Sequence, residues 1–293
     1  MQQAVLSAVL MLMVFAVALD LTVEDFRRVL TMPRLVGIGL LPQFLWLPIA
    51  TWLVTLVLPL PAPLEAAMLL VACCPGGSMS NVITHWGQGN TALSVTLSAV
   101  SGVLAIVLTP FNFSWTMASN PATAAWLREL ALSPLDILGS LLVLLALPMV
   151  AGLLVTRHRP AWARRVRSGL RRLSVAALAA FILLGLYRDR ELLTAALLLP
   201  LLIVILHNAL GLGLGSVTAR VFALAAPERR AIVVEAGMQN AGLALGIIAL
   251  QFDGELGMVI LASLWGIWHL ISGLALAWYW RRQEVADHVG SDL

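Results

Sequence analysis

The chain has 293 residues, 60% of them hydrophobic and 11% charged, with a mean hydropathy of +0.94. That is too little polar material to cover a soluble globule, so the composition predicts an integral membrane protein. All 18 basic residues are arginine, which removes the lysine that a phosphate-binding loop or a pyridoxal Schiff base requires, and they are not gathered on the single basic face of a nucleic-acid binder.

Apolar runs of about 17 to 25 residues between charged or Pro/Gly-rich breaks predict nine spans, at 3–20, 34–58, 64–87, 90–112, 133–156, 173–187, 192–219, 230–251 and 256–280. The first begins without a basic segment and is read as a retained span, not a cleaved signal. The third is interrupted by Cys73-Cys74-Pro75-Gly76-Gly77-Ser78-Met79-Ser80-Asn81. There Pro75 forbids a continuous helix, Gly76 and Gly77 allow unusual dihedrals, and Ser78 is placed to cap a second half-helix. Cys73 and Cys74 are the only cysteines, and inside an apolar run they read as small buried residues, not a disulfide framework. The fourth span carries Ser94 and Ser98, four apart on one helix face.

The segment from Arg157 to Arg172 reads as a basic loop that fixes topology beside anionic headgroups. The short sixth span is expected to extend into it by snorkelling. The seventh carries His207-Asn208, read as helix packing, and the eighth is interrupted by Glu235-Ala236-Gly237-Met238-Gln239-Asn240. The ninth carries Trp268-His269. With nine spans, 15 of the 18 arginines fall on one side of the membrane. The positive-inside rule then predicts an external N-terminus and a cytoplasmic C-terminus in a cell inner membrane or plasma membrane.

Non-helical backbone at bilayer depth is tolerated only where protein buries it or where it lines a cavity. Each break is therefore a candidate site, and one per half is the pattern of a transporter with inverted repeats. The two broken spans are predicted to run antiparallel, so that their breaks can meet. Of 15 acidic residues, the other 14 read as span ends or loops and only Glu235 as lying well inside a span, which marks it as functional by default. The half-helix N-termini near Ser78, Met79, Gln239 and Asn240 suit an anion. The oxygens of Ser80, Asn81, Glu235 and Gln239 suit a hard cation such as Na⁺.

Two other chemistries fit parts of the pattern. Glu235 could cycle a proton in a proton-coupled carrier or exporter. An intramembrane hydrolase could be built from Ser78 or Ser80 with His85 or His269, although His85 follows Ser80 by five residues and falls off its helix face.

The chain resembles a bacterial member of the bile acid:sodium symporter family. The resemblance rests on the 73–81 break, on Ala92-Leu93-Ser94-Val95-Thr96-Leu97-Ser98, on Leu206-His207-Asn208, on Glu235-Ala236-Gly237-Met238-Gln239-Asn240-Ala241-Gly242, and on Trp268-His269 followed by Ser272-Gly273. It implies an all-α membrane fold of two inverted repeats, with two broken helices crossing in a core domain that a panel domain flanks. The implied division is a panel helix at 1–32, the core's first repeat at 33–113, panel helices at 132–188, the second repeat at 191–281 and a cytoplasmic tail at 282–293.

The resemblance further implies sodium-coupled transport of a small organic anion, with two Na⁺ sites and no enzymatic activity. The first site would use Ser80, Asn81, Ser94, Ser98 and Glu235. The second would use Gln43, Glu235, Gln239 and the backbone oxygens of Ala236 and Met238. The substrate would meet Gly77, Ser78, Met79, Asn240 and His269. No nucleic acid and no obligate protein partner is implied. Leu270 stands where relatives often have Asn, which weakens the expectation of a bile acid, and the first helix of a ten-span pattern is missing.

Overall fold

A computed structural model describes residues 2–58, 60–77, 79–188 and 197–291. Its described residues are helical, joined by short connections. Helix α1 (Gln2–Ala18) is followed by α2 (Val23–Thr31), which starts on a capping box. In that box the Thr22 hydroxyl accepts the Asp25 N–H and the Asp25 carboxylate accepts the Thr22 N–H, which satisfies two amides at the helix start.

Helix α3 (Pro33–Leu41), a π turn (Pro42–Trp46) and α4 (Leu47–Val57) form one apolar rod from Pro33 to Val57. The π turn falls where Pro42 and Pro48 interrupt the ordinary hydrogen-bond ladder, and such turns are frequent at functional sites.

The third predicted span consists of two half-helices, α5 (Ala62–Cys73) and α6 (Met79–Trp86). Helix α7 (Thr91–Ser119) outruns its predicted span, and Asn120 both ends it and caps α8 (Pro121–Glu129), where a loop had been expected. Helices α9 (Pro134–His158) and α10 (Pro160–Arg188) meet at Arg159. The expected basic loop is thus a tight corner, and the arginines from 164 to 172 belong to the first turns of α10, as the short sixth span required.

Helix α11 (Leu198–Val221) precedes a second pair of half-helices, α12 (Ala226–Gly237) and α13 (Ala241–Gln251). Helix α14 (Leu256–Ser291) continues through the expected tail.

Five of these elements are each long and apolar enough to cross a membrane: Pro33–Val57, Thr91–Ser119, Pro134–His158, Leu198–Val221 and Leu256–Gln283. At 1.5 Å per residue, 25 residues reach about 37 Å, more than the ~30 Å hydrocarbon layer. Val143, Leu147, Val150 and Leu154 form an exposed stripe at helical spacing along α9, the surface that lipid covers in a membrane protein.

Inside, α1, α5, α7, α9, α13 and α14 share a core that includes Leu10, Leu69, Phe113, Leu141, Ile247 and Trp265. Helix α1 packs on α9 and α10, and α11 packs along α12.

One acidic residue departs from the sequence reading. Glu65, taken as a span-end carboxylate, is 2% exposed. It is held by Asn120 Nδ2 at 3.0 Å, and the same nitrogen donates to Thr55 Oγ1 at 3.0 Å. This knot joins α4, α5 and the α7–α8 corner.

Candidate functional site

The two helix breaks meet. The Gly77 N–H donates to Met238 O at 2.6 Å and the Asn240 N–H donates to Pro75 O at 2.9 Å, giving one antiparallel bridge between Gly76 and Gln239. Each break thereby supplies the other with partners for backbone groups that a helix would have satisfied internally. A second tie lies at the far ends of the half-helices. The Asn90 N–H donates to Pro227 O at 2.9 Å, and the buried Arg230 guanidinium donates to Gly87 O at 3.2 Å.

Glu235 sits against this crossing with no exposed surface. Gly76 must lack a side chain, because a Cβ there would collide with the Glu235 carboxylate. Ser98 Oγ lies 2.9 Å from Glu235 Oε1 and Ser94 Oγ 3.3 Å from Oε2. The same two hydroxyls reach Asn81 Oδ1, at 3.2 and 2.8 Å, and Ser80 Oγ is 3.3 Å from Ser98 Oγ. All five side chains expected of the first cation site are therefore gathered in one network. Among the described residues, no ion pair includes Glu235, and a buried carboxylate without a counter-charge is a strong attractor for a cation.

The residues expected of the second cation site surround the other side of the crossing. Gln43, on the π turn, is fully buried, and its Nε2 would lie 3.4 Å from a Cβ on Gly76. Among the described residues neither Gln43 Oε1 nor Gln239 Oε1 has a hydrogen-bond partner, although both are buried. Orphaned buried oxygens are rare, and an ion or water is the usual explanation. Gln239 Nε2 donates to Ala236 O at 3.0 Å, which leaves its oxygen pointing elsewhere. This donor set of amide oxygens, backbone carbonyls and one carboxylate fits a hard monovalent cation.

A cavity of about 480 Å³ opens beside the crossing. Gly77, Met79, Asn240 and His269 line it, together with Asn81, Ser98 and Gln239. Ser78, the remaining residue expected to touch substrate, lies outside the described residues. Val17, Val95 and Leu245 contribute apolar wall, and Asp20 and Asp25 stand at the cavity's edge near the ends of α1 and α2. Asp20 pairs with Arg167 at 3.4 Å. The Asn240 side chain caps α13 by accepting the Leu243 N–H at 2.9 Å. The Gly242 N–H of that first turn takes no backbone partner.

The histidines are held in specific ways. Trp265 Nε1–H, which can only donate, bonds His207 Nδ1 at 3.1 Å, so in the neutral ring His207 Nε2–H donates to Thr51 Oγ1 at 2.8 Å. His269 Nδ1 lies 2.8 Å from the Trp265 carbonyl and must donate to it. His85 is exposed and lies 3.4 Å from Thr91 Oγ1. Ser80 bonds Ser98, and among the described residues neither His85 nor His269 is bonded to it, so Ser80 has no base at hand.

Sequence reasoning missed several supports of the crossing. Thr109 on α7 donates to the Cys73 carbonyl at 2.7 Å, where α5 ends. Asn112 donates to Phe44 O at 2.8 Å in the π turn. A threonine in an apolar span gives no signal that it holds a broken helix 36 residues away.

Fold and crossing together define a helical protein with helices long and apolar enough to span a membrane and two interrupted helices that meet. Residues 7–196 match the model of the Sodium Bile acid symporter family. The chain is 32% identical over 285 residues to the uncharacterized sodium-dependent transporter YocS of Bacillus subtilis, an alignment covering 96% of this chain and 84% of that protein. It is 31% identical to the probable chloroplastic sodium/metabolite cotransporter BASS2 of Oryza sativa subsp. japonica, over 92% of this chain but only 62% of the plant protein. It is 28% identical to the human ileal sodium/bile acid cotransporter, over 86% and 70% of the two chains. The chain belongs to the sodium bile acid symporter family, and it is a transporter, not an enzyme.

Proposed function

We propose that this protein is a sodium symporter that takes up a small organic anion by alternating access. The observation that carries this reading is the set of oxygens around Glu235: four hydrogen-bonding side chains on one side, and the unpartnered oxygens of Gln43 and Gln239 beyond it. Two Na⁺ with one carboxylate leave the crossing net positive. An anion is then attracted only once the ions are bound, which is the physical basis of coupling.

In this reading Na⁺ binds in two places. Ser80, Asn81, Ser94, Ser98 and Glu235 form one site; Gln43, Glu235, Gln239 and the carbonyls of Ala236 and Met238 form the other. The anion lies in the adjoining cavity against the Gly77 to Met79 and Asn240 to Gly242 backbone, with His269 at its side. The chain spans an inner or plasma membrane nine times, with its C-terminus in the cytoplasm. The segments at 33–113 and 191–281 are inverted repeats of a core domain, and α1, α9 and α10 form the panel. The cavity's edge lies near Asp20, Asp25 and the arginines of α2 and α10, so the conformation is inward-facing.

The experiment is a thermal-shift screen of small carboxylates with purified protein, in NaCl and in choline chloride. The reading requires at least one carboxylate that stabilises the protein in sodium and not in choline. A ligand that stabilises equally in both salts, with uptake driven by a pH gradient alone, would transfer the function to proton coupling.

A further inference from the structure

Three successive backbone oxygens at the C-terminal end of α12 take different partners. Ala236 O accepts from Gln239 Nε2 and Met238 O from the Gly77 N–H. Gly237 O, between them, accepts Asn208 Nδ2 from α11 at 2.8 Å, and Ala236 O also lies toward α11. At its other end the Asn208 amide is held by α14, where Ser272 Oγ donates to Asn208 Oδ1 at 2.6 Å. The Gly237 carbonyl can only accept, so a flipped amide would lose that bond and set two acceptor oxygens against each other, while the Ser272 hydroxyl can donate or accept and follows the orientation that the carbonyl imposes.

Helix α11 comes close enough for this because Gly211 faces α12: a Cβ there would lie 2.9 Å from Ala236 O. Asn208 is 1% exposed, so its hydrogen bonds meet little competition from water. The peptide it grips leads into Met238, at φ −111° and ψ 76°, outside the helical region.

We propose that Asn208, held by Ser272, is a positioning residue for the coupling cation. It anchors the Gly237 carbonyl to α11 and so sets the tilt of the adjoining peptides, whose Ala236 and Met238 carbonyls each keep a second lone pair for Na⁺ beside the hydrogen bond they accept. The comparison within the chain supports this division of labour. Gln43 and Asn208 each stand ten residues past the start of their apolar helices, Pro33–Val57 and Leu198–Val221. Among the described residues the Gln43 oxygen takes no hydrogen-bond partner, whereas the Asn208 amide is engaged at both its oxygen and its nitrogen. One half of the molecule thus offers its amide to the ion, and the other uses its amide to hold the backbone.

The inference rests on the sodium reading, and the test separates the two. Na⁺ and Li⁺ binding to purified protein is followed by thermal shift in choline-balanced buffers, for the wild type, Asn208→Ala and Ser272→Ala. Loss of a residue that orients metal ligands lowers metal affinity by about 10–100-fold. Asn208→Ala is expected to weaken Na⁺ by at least about tenfold and to change the Li⁺/Na⁺ preference. Ser272→Ala should do the same to a smaller extent; both variants lower the melting temperature in choline, because buried groups lose a partner, and the changed ion preference is what marks a positioning role. A role in packing alone would lower the choline melting temperature and leave the ion preference intact, which overturns the proposal. If Asn208→Ala does not fold, Ser272→Ala decides the matter by the same two readouts. A wild-type protein indifferent to Na⁺ would instead overturn the sodium reading, and the brace with it.

Discussion

Glu235 is bonded by Ser94 and Ser98, with the Ser80 hydroxyl and the Gln43 amide also beside it. A carboxylate in that position is stable as an anion when a cation shares its oxygens, so the residue and the ion are expected to bind as one unit. Replacing both serines with alanine removes two of those partners and leaves the carboxylate intact. We expect Ser94→Ala with Ser98→Ala to raise the Na⁺ concentration for half-maximal stabilisation by at least about tenfold, a loss of about 1.4 kcal/mol or more, read as a shift of the sodium titration curve. Gly76→Ala should be worse, because the new methyl group meets the Glu235 oxygen and the break cannot move without losing its bridge to Gln239; sodium-dependent stabilisation should vanish in that variant. Glu235 was legible in the sequence because an acid flanked by apolar residues has few explanations. Glu65 was not, since an acid four residues past a Pro-rich turn looks the same whether it faces water or Asn120.

At the scale of elements, the two broken helices were legible because proline and paired glycines cannot continue a helix, whatever surrounds them. Their meeting is a tertiary fact: only the Gly77–Met238 and Asn240–Pro75 bonds establish it. The α8 helix escaped notice because Ser119-Asn120-Pro121 has the composition of a loop, yet Asn120 accepts two amides of α8 there and donates to Glu65 and Thr55. The arginines from 164 to 172 were half legible: charge density suggested a loop, and only the shortness of the sixth span pointed to the helix that runs through them. Asn120→Ala removes a helix cap and leaves Glu65 short of a donor. The expected destabilisation is about 2–4 kcal/mol from the two losses together. Thermal unfolding in choline should show it, while the sodium titration midpoint of the surviving folded protein stays within about twofold, roughly 0.4 kcal/mol.

For the whole molecule, the cavity beside the crossing makes a statement about access. Cys73 and Cys74 are fully buried, so the native protein should be inert to a membrane-impermeant maleimide. Val17→Cys places a thiol on the α1 wall of the cavity. It should label readily from the cytoplasmic face, and more slowly when Na⁺ and a bound carboxylate favour another state; labelling only from the opposite face would reverse the assigned orientation. The family match, the crossing and the oxygens around Glu235 converge on sodium as the coupling ion. Binding of radioactive Na⁺ to purified wild-type and Glu235→Gln protein, with folding checked by circular dichroism, tests that most directly. Saturable binding in the wild type that is lost in the folded variant is the predicted result, and undiminished Na⁺ binding by Glu235→Gln would contradict it.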